Sequence, residues 1–380
     1  MKKIYLDHAA TTRTRPEAIE AMLPYLNNFY GNAASIYELG RQSKKAIETA
    51  REKIAGLFNV QPKEIFFTSS GTEADNWAIK GLAYANQKKG KHIITSKIEH
   101  HAVLHSCQFL EKNGFEVTYL PVNSDGLISI ADLEKAIRKD TVLISIMFAN
   151  NEVGTIQPVS EIAKLADRYN IIFHTDAVQV VGNLEIDANK LSLDAMSISA
   201  HKFGGPKGVG ALYLRDGIKI ENLLHGGSQE RDLRAGTQNV AGIVAMAKAL
   251  ELAINDLKNH QHKLTLLRDR AILEIPKITK GIKLNGHREK RLAGNINFSF
   301  PKISGDSLLM MLDMKGIAAS SGSACSALSI EPSHVLLAMG LDRQMAKNAI
   351  RFTFGDENTD EDLDYLLAVL REIFSNTNIL

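Results

Sequence analysis

The stretch TVLISIMFANN, residues 141–151, is apolar at consecutive positions rather than alternate ones. A strand written this way is buried on both faces, so it belongs in the middle of a sheet covered by helices above and below. The text on either side fits that role. ADLEKAIRKD (131–140) precedes it with a helical pattern, and VSEIAKLADRYN (159–170) follows it with another. Further out, EIFFTSS (64–70), KHIITS (91–96), FEVTYLPV (115–122), IIFHTD (171–176), MSISAHK (196–202) and GVGALYLR (208–215) read as strands. Between them, RQSKKAIETAREKIAGLF (41–58), SGTEADNWAIKGLA (70–83) and HAVLHSCQFLEKNG (101–114) read as helices, the first with Ala46, Ile47, Ala50, Ile54 and Leu57 on one stripe. Strands alternating with helices of about a dozen residues predict βαβ units and an α/β fold with a mostly parallel sheet.

That alternation runs to about residue 217. Residues 239–277 then read as two long helices, one leaving the first domain and one entering the next. INFSF (296–300), DSLLMMLDMKG (306–316), IRFTF (350–354) and DEDLDYLLAVLREIF (360–374) predict a smaller α+β unit. The expected division is a large domain over 15–255 and a small one formed by 1–14 and 256–380.

The chain has 380 residues, a formal charge of +2 and 44% apolar residues. Its charge is too near zero and too evenly spread for a nucleic-acid surface, so no direct contact with nucleic acid is expected. No apolar run approaches a membrane span, and MKKIYLDHAATT lacks the apolar core of a signal peptide. Two cysteines make no disulfide framework, so the expectation is a cytoplasmic protein with reduced thiols. Cys107 stands at helical spacing with Val103, Leu104 and Leu110 and reads as core. Cys325, in SSGSACSA (320–327), has only Ser, Gly and Ala around it and no apolar pocket to enter.

In open α/β sheets, ligands bind at the carboxyl ends of the strands, and four polar groups follow strand runs. Ser69-Ser70-Gly71-Thr72-Glu73 is a helix start able to take an anion, and equally an ordinary N-cap. It is not a P-loop, because the chain has no G-x-x-x-x-G-K-[ST]. Glu99-His100-His101 could cap a helix, stack a ring on a planar cofactor or, with His105, contribute to a metal site. No further ligands complete a metal set, and none is expected. Asp176, with Gln179 one turn on, could cap a helix or hold a positive ring nitrogen. Lys202, at the end of SISAHK, is a candidate for Schiff-base chemistry if desolvated, or a surface lysine before a turn. Taken together, a phosphate cradle, a stacking ring, a carboxylate and a nucleophilic lysine are the parts that hold pyridoxal 5'-phosphate.

Those residues stand in longer segments: YLDHAATT (5–12), GNAAS (31–35), FTSSGTEADNWAIKG (67–81), EHHAVL (99–104), NNEVGTIQPV (150–159), HTDAVQ (174–179), SAHKFGGPKGVGALY (199–213), RAGTQN (234–239), SSGSACSALSIEPSH (320–334) and IRFTFG (350–355). Over nearly its whole length the chain resembles the NifS/IscS-type cysteine desulfurases, class V members of the fold-type I enzymes that use pyridoxal 5'-phosphate. It departs from the family at Ala33 or Ala34, where relatives often have Pro, and at Gly204, where some have Tyr.

The resemblance implies that Lys202 carries the cofactor, Asp176 meets the pyridine nitrogen and Gln179 the phenolate oxygen. His100 would stack on the ring and assist proton transfer. Gly71, Thr72, Ser199 and His201 would hold the phosphate, joined by Thr237 from a neighbouring subunit, which makes a homodimer. Asn151 would serve cofactor and substrate, and with Arg351 would bind the carboxylate of L-cysteine. Cys325 would take up the sulfur on a mobile loop (about 320–332) and pass it to an acceptor protein, either an iron–sulfur scaffold or a tRNA-thiolation enzyme. The alternatives on the same residues are a selenocysteine lyase, a class V aminotransferase needing no thiol, and an inactive binding platform.

Overall fold

In a computed structural model of the chain, described for residues 2–321 and 331–376, seven strands make the main sheet. They are β1 (Ile65–Thr68), β2 (His92–Ser96), β3 (Glu116–Leu120), β4 (Thr141–Ser145), β5 (Ile172–Asp176), β6 (Ala195–Ser199) and β7 (Gly210–Leu214). Their spatial order is β1-β7-β6-β5-β4-β2-β3. Pairing is parallel from β6 through β5, β4 and β2 to β3, while β7 runs antiparallel to both its neighbours. Every residue of β1, β2, β4, β6 and β7 is buried; the edge strand β3 is exposed or half-buried from Glu116 to Tyr119 and buried only at Leu120. The α/β expectation therefore holds, and for the stated reason: helices cover both faces.

Two details differ from the sequence reading. The run 141–151 is a ladder strand only to Ser145, although Ile146 and Phe148 still donate to the carbonyls of His174 and Asp176, at 3.2 and 2.9 Å. MSISAHK is a strand only to Ser199, because Ala200–Lys202 folds into a 3-10 turn. The Ala200 carbonyl accepts from Phe203 (3.2 Å) and Gly205 (2.9 Å), and Gly204, at φ +83°, reverses the chain. Lys202 thus leaves the sheet plane instead of continuing it.

Helices α1 (Glu38–Leu57), α2 (Gly71–Asn86), α3 (His101–Glu111), α4 (Ile130–Ala136) and α5 (Val159–Arg168) lie between or beside these strands. Helix α1 buries Ala46, Ile47, Ala50 and Ile54 as its stripe requires. Helix α2 buries Trp77, whose indole N–H donates to the Glu221 carbonyl at 3.0 Å. Cys107 is fully buried on α3 among Val103, Leu110 and Phe115. Helices α6 (Val240–Asn255) and α7 (Leu257–Glu274) meet at Asp256. No helix among the described residues is long and apolar enough to cross a membrane.

A second apolar cluster gathers Leu264, Leu267, Phe298, Phe300, Leu308, Phe352, Leu366 and Leu370 with Ile4 and Leu6 from the N-terminus. Its sheet is formed by β8 (Lys283–Leu284), β9 (Asn295–Ser299), β10 (Ser320–Ser321) and β11 (Ala349–Thr353), in the order β10-β11-β9-β8. Ile4–Tyr5 pairs in parallel with Ile317–Ala318. The chain therefore starts in this smaller unit, and residues 7–12 cross from it to the main sheet.

One buried ion pair ties distant segments. The Arg51 guanidinium, 2% exposed, donates to both Glu230 oxygens at 2.7 and 3.0 Å, and Glu230 also accepts from Phe67 N at 2.9 Å. Glu230, Arg231 and Asp232 all adopt positive φ (44°, 59° and 65°), so this contact holds a strained segment in place. Glu230→Ala would leave the buried Arg51 cation with only the exposed Glu48 carboxylate, 3.1 Å from its Nε, as a charged partner. It is expected to destabilise the fold by about 3–5 kcal/mol, read as a lower urea midpoint; a change below about 1 kcal/mol would contradict this account.

Candidate active site

The C-terminal ends of β1, β2, β4, β5 and β6 open into one cavity of about 390 Å³. Its lining includes Gly71, Thr72, His100, Asn151, Asp176, Gln179, Ser199, His201, Lys202 and Arg351. All but two of the site residues expected from the sequence are thus brought together. Thr237 is exposed and does not line this chain's own cavity. Cys325 lies outside the described residues.

The wall after β1 is the start of α2. Ser70 is its N-cap, accepting from Glu73 N at 3.1 Å. A Cβ on Gly71 would stand 2.7 Å from a Val178 methyl and 3.2 Å from the Ser199 Cβ, so only glycine fits where helix, β5 turn and β6 converge. The helix N-terminus, with Ser199 beside it, gives the cavity a place for an anion. His201 Nδ1 is 3.2 Å from Thr11 Oγ1, and burial with nearby Lys202 and Lys207 lowers its pKa to about 4.

His100 caps α3, its Nδ1 accepting from Ala102 N at 3.1 Å. Capping and cavity-lining, alternatives in the sequence, are one arrangement here. The cap needs an unprotonated Nδ1. Burial, Lys202 and the neighbouring histidines add to that and bring the pKa down to about 4. Neutral His100 therefore carries its ring proton on Nε2. Beside it, the His101 and His105 rings stack at 5.0 Å and 29° instead of converging on a point. Glu99 is occupied elsewhere: its carboxyl accepts from Met147 N at 2.9 Å and from the Ser96 hydroxyl at 2.5 Å, and burial pushes its pKa up to about 8.

Asp176 ends β5, and its Oδ1 accepts from Val178 N at 2.9 Å. Burial raises its pKa to about 6, while that hydrogen bond and the Lys202 charge oppose the rise. A carboxylate so poorly solvated gains from a cation placed against it. Across the cavity, Lys202 Nζ donates to the carbonyls of Ala9 and, at 2.8 Å, Ala10. Gln179 Nε2 donates to the same Ala9 carbonyl at 2.9 Å.

Arg351, on β11, is 1% exposed. Its Nη2 donates to Asp7 at 2.7 Å and its Nη1 to the Asn151 carbonyl at 3.0 Å, while its buried Nε has no partner. The guanidinium keeps further N–H groups and lines the cavity, where it can meet an incoming carboxylate. The segment Asp7–Thr12 thus touches Arg351, Gln179, Lys202 and His201. Sequence reasoning assigned it no role, since only the 344-residue span between Asp7 and Arg351 shows what it serves.

These features fit pyridoxal 5'-phosphate: a helix N-terminus cleared of Cβ for the phosphate, a desolvated carboxylate for a protonated ring nitrogen, an amide donor in Gln179, a flat neutral ring in His100 and an amine in Lys202.

The model of the aminotransferase class-V family matches residues 4–366. The chain is 53% identical over 374 residues to a cysteine desulfurase IscS of Clostridium botulinum, covering 98% of this chain and 94% of that one. It is 56% identical to one from Dictyoglomus turgidum, over 98% and 94% of the two chains. Among solved structures, a NifS-like protein superposes with a TM-score of 0.93 at 41% identity, covering 99% and 100%. SspA in complex with cysteine superposes at 0.83 and 36%, covering 94% and 100%. A match of this extent means that the chain belongs to the aminotransferase class-V family, whose enzymes depend on pyridoxal 5'-phosphate.

Proposed function

We propose that the protein is a cysteine desulfurase that converts L-cysteine to L-alanine and hands the sulfur to an acceptor by way of Cys325. The observation that carries this is the single cavity in which Lys202, Asp176, His100 and Arg351 meet, in a chain more than half identical to IscS enzymes along nearly its whole length. The bound cofactor supplies the electron sink that makes the substrate Cα acidic. Around it, the chain's own groups divide the work. Arg351 and Asn151, both lining the cavity, receive the substrate carboxylate, with the guanidinium oriented by the Asp7–Arg351 pair. Lys202 Nζ, once released, takes the Cα proton and returns it at the end, with the Ala9 and Ala10 carbonyls as acceptors for its ammonium form. His100 Nε2 handles the proton near the substrate sulfur. The Cys325 thiolate attacks that sulfur: an S–S bond forms, the C–S bond breaks with its electron pair left on carbon, and protonation of that carbon completes alanine. A persulfide remains on Cys325.

The same reading makes 15–255 and 1–14 with 256–380 the two domains, supported by one apolar cluster around the main sheet and another in the smaller unit, while a further cluster joins Ile98, Met147 and Val153 of the first to Val335, Leu336 and Met339 of the second. It also makes the protein a homodimer. Ile19, Leu23, Leu26, Tyr30, Ile36 and Tyr37 leave a run of apolar side chains exposed, from 42% to 89%, which is the surface a second copy would cover. Thr237, exposed on the segment that Glu230 anchors, would reach the partner's phosphate. The acceptor is a protein that takes up sulfane sulfur, such as an iron–sulfur scaffold or tRNA-thiolation enzyme.

Three measurements test this. Incubation with L-cysteine should give alanine and a persulfide mapped by mass spectrometry to Cys325; full alanine production by Cys325→Ala without added thiol would end the relay mechanism. Lys202→Ala should lose the visible absorbance of the bound cofactor, and Asp176→Asn should weaken cofactor retention about 10- to 100-fold, the worth of a charge-assisted hydrogen bond. Thr237→Ala should weaken retention about 5-fold, for one neutral hydrogen bond, with the dimer intact by analytical ultracentrifugation; a monomeric wild type would refute the assembly.

A further inference from the structure

Behind Asp176 stands a second carboxyl that the mechanism does not use. Asp75, one turn into α2 from Gly71, is 1% exposed and lines the same cavity as Asp176. Its Oδ1 has no hydrogen-bond partner, and among the described residues no Lys or Arg forms an ion pair with it. The nearest base is His174, whose Nε2 is 3.7 Å away. Both nitrogens of that ring are already engaged, Nδ1 with the Ser145 hydroxyl and Nε2 with the Ser197 hydroxyl, each at 2.9 Å. Two hydroxyl partners satisfy a neutral imidazole, because each hydroxyl can donate or accept. In the sheet Ser197 lies directly opposite Asp176. The titratable groups facing Asp75 are therefore Asp176 and His174 from β5, and Glu99 from the turn after β2. Two of them are acids, and the third is a base fully occupied by hydroxyls.

We infer that Asp75 is a positioning residue carried as a neutral carboxylic acid, so that Asp176 is the one carboxylate charge set against the ring nitrogen of the cofactor. An ionised Asp75 in this buried wall would have only the Ser197 hydroxyl to compensate it, with its Oδ1 unpaired, and would repel Asp176. As an acid it presents an O–H to the Asp176–Ser197 side instead. Burial first, then the Asp176 charge, raises its proton affinity well above the ordinary carboxyl value, against a smaller opposing effect from Ser197. His174 is held neutral by burial, with its pKa down to about 3, so the pair is acid and base both uncharged rather than an ion pair. The function of this neutral acid rests on the cofactor reading above; its protonation state does not.

The sign of the linkage follows. In the unfolded chain Asp75 ionises near the ordinary value of about 3.9, while in the folded chain it keeps its proton to higher pH. The stability conferred by the protonated form is therefore present in acid and is lost as pH rises through that interval.

The test compares wild-type holoenzyme with Asp75→Asn, which keeps the shape and removes the ionisation. The melting temperature of Asp75→Asn relative to wild type should rise by about 2 °C or more between pH 5 and pH 8, with cofactor retention within about 3-fold of wild type. A relative melting temperature that falls, or stays level, over that range overturns the inference, as does loss of the cofactor on the scale expected for Asp176→Asn. Should Asp75→Asn fail to fold, wild-type protein specifically labelled with carbon-13 at aspartate still decides the matter by infrared spectroscopy at pH 7. A protonated aspartate C=O band that disappears in Asp75→Glu supports the inference, and the absence of any protonated aspartate band overturns it. A protein without the visible chromophore would sink the cofactor reading alone, since the infrared band reports Asp75 either way.

Discussion

Asp176 carries a carboxylate at the end of a central strand where almost no water reaches it. A charge in such a place must be matched, neutralised or made useful. The surrounding architecture can be understood as arrangements for it. The Val178 N–H stabilises it locally, Lys202 faces it across the cavity, and the carboxyls nearby, Asp75 and Glu99, are raised toward neutrality by the same burial. The sheet creates this condition. Five strands end at one level, and helices on both faces exclude solvent from the interior behind them.

The second constraint is the crossing of residues 7–12 from the small sheet to the large one. Its carbonyls accept from Lys202 and Gln179, its Asp7 accepts from Arg351, and Thr11 and Thr12 contact the His201 turn. An amine, a ring partner and a carboxylate receptor are fixed against one another by a single stretch of backbone. Because that stretch is anchored in the smaller core through Ile4 and Leu6, movement between the two units would be felt at the lysine and the arginine together.

Much of the site was legible because its residues follow strands, and strand ends can be found from hydrophobic runs. Gly71, His100, Asp176 and Lys202 each sit where such a run stops. The choice between capping and catalytic roles was posed too sharply: His100 and Asp176 both make the local capping-type bond and both line the cavity. Glu99 was open to a metal role, and its two oxygens are committed to Met147 and Ser96 instead. Asp75 was passed over although it stands four residues beyond Gly71, on the same helix face. That spacing was the available signal, but helix periodicity does not say which acid lies behind another strand's carboxylate.

By itself the sequence determined the order of strands and helices, the layered α/β class, the family resemblance and the chemical types at each strand end, because period and turn chemistry are local properties of the chain. Only the tertiary structure decided which of those groups meet, that Lys202 leaves the sheet in a 3-10 turn, that Arg351 is tethered by Asp7, and that a second acid backs Asp176. Those facts depend on contacts between residues far apart in the chain and on the exclusion of water from the space between them. No local pattern encodes the dielectric of a cavity that exists only once both cores have closed around it.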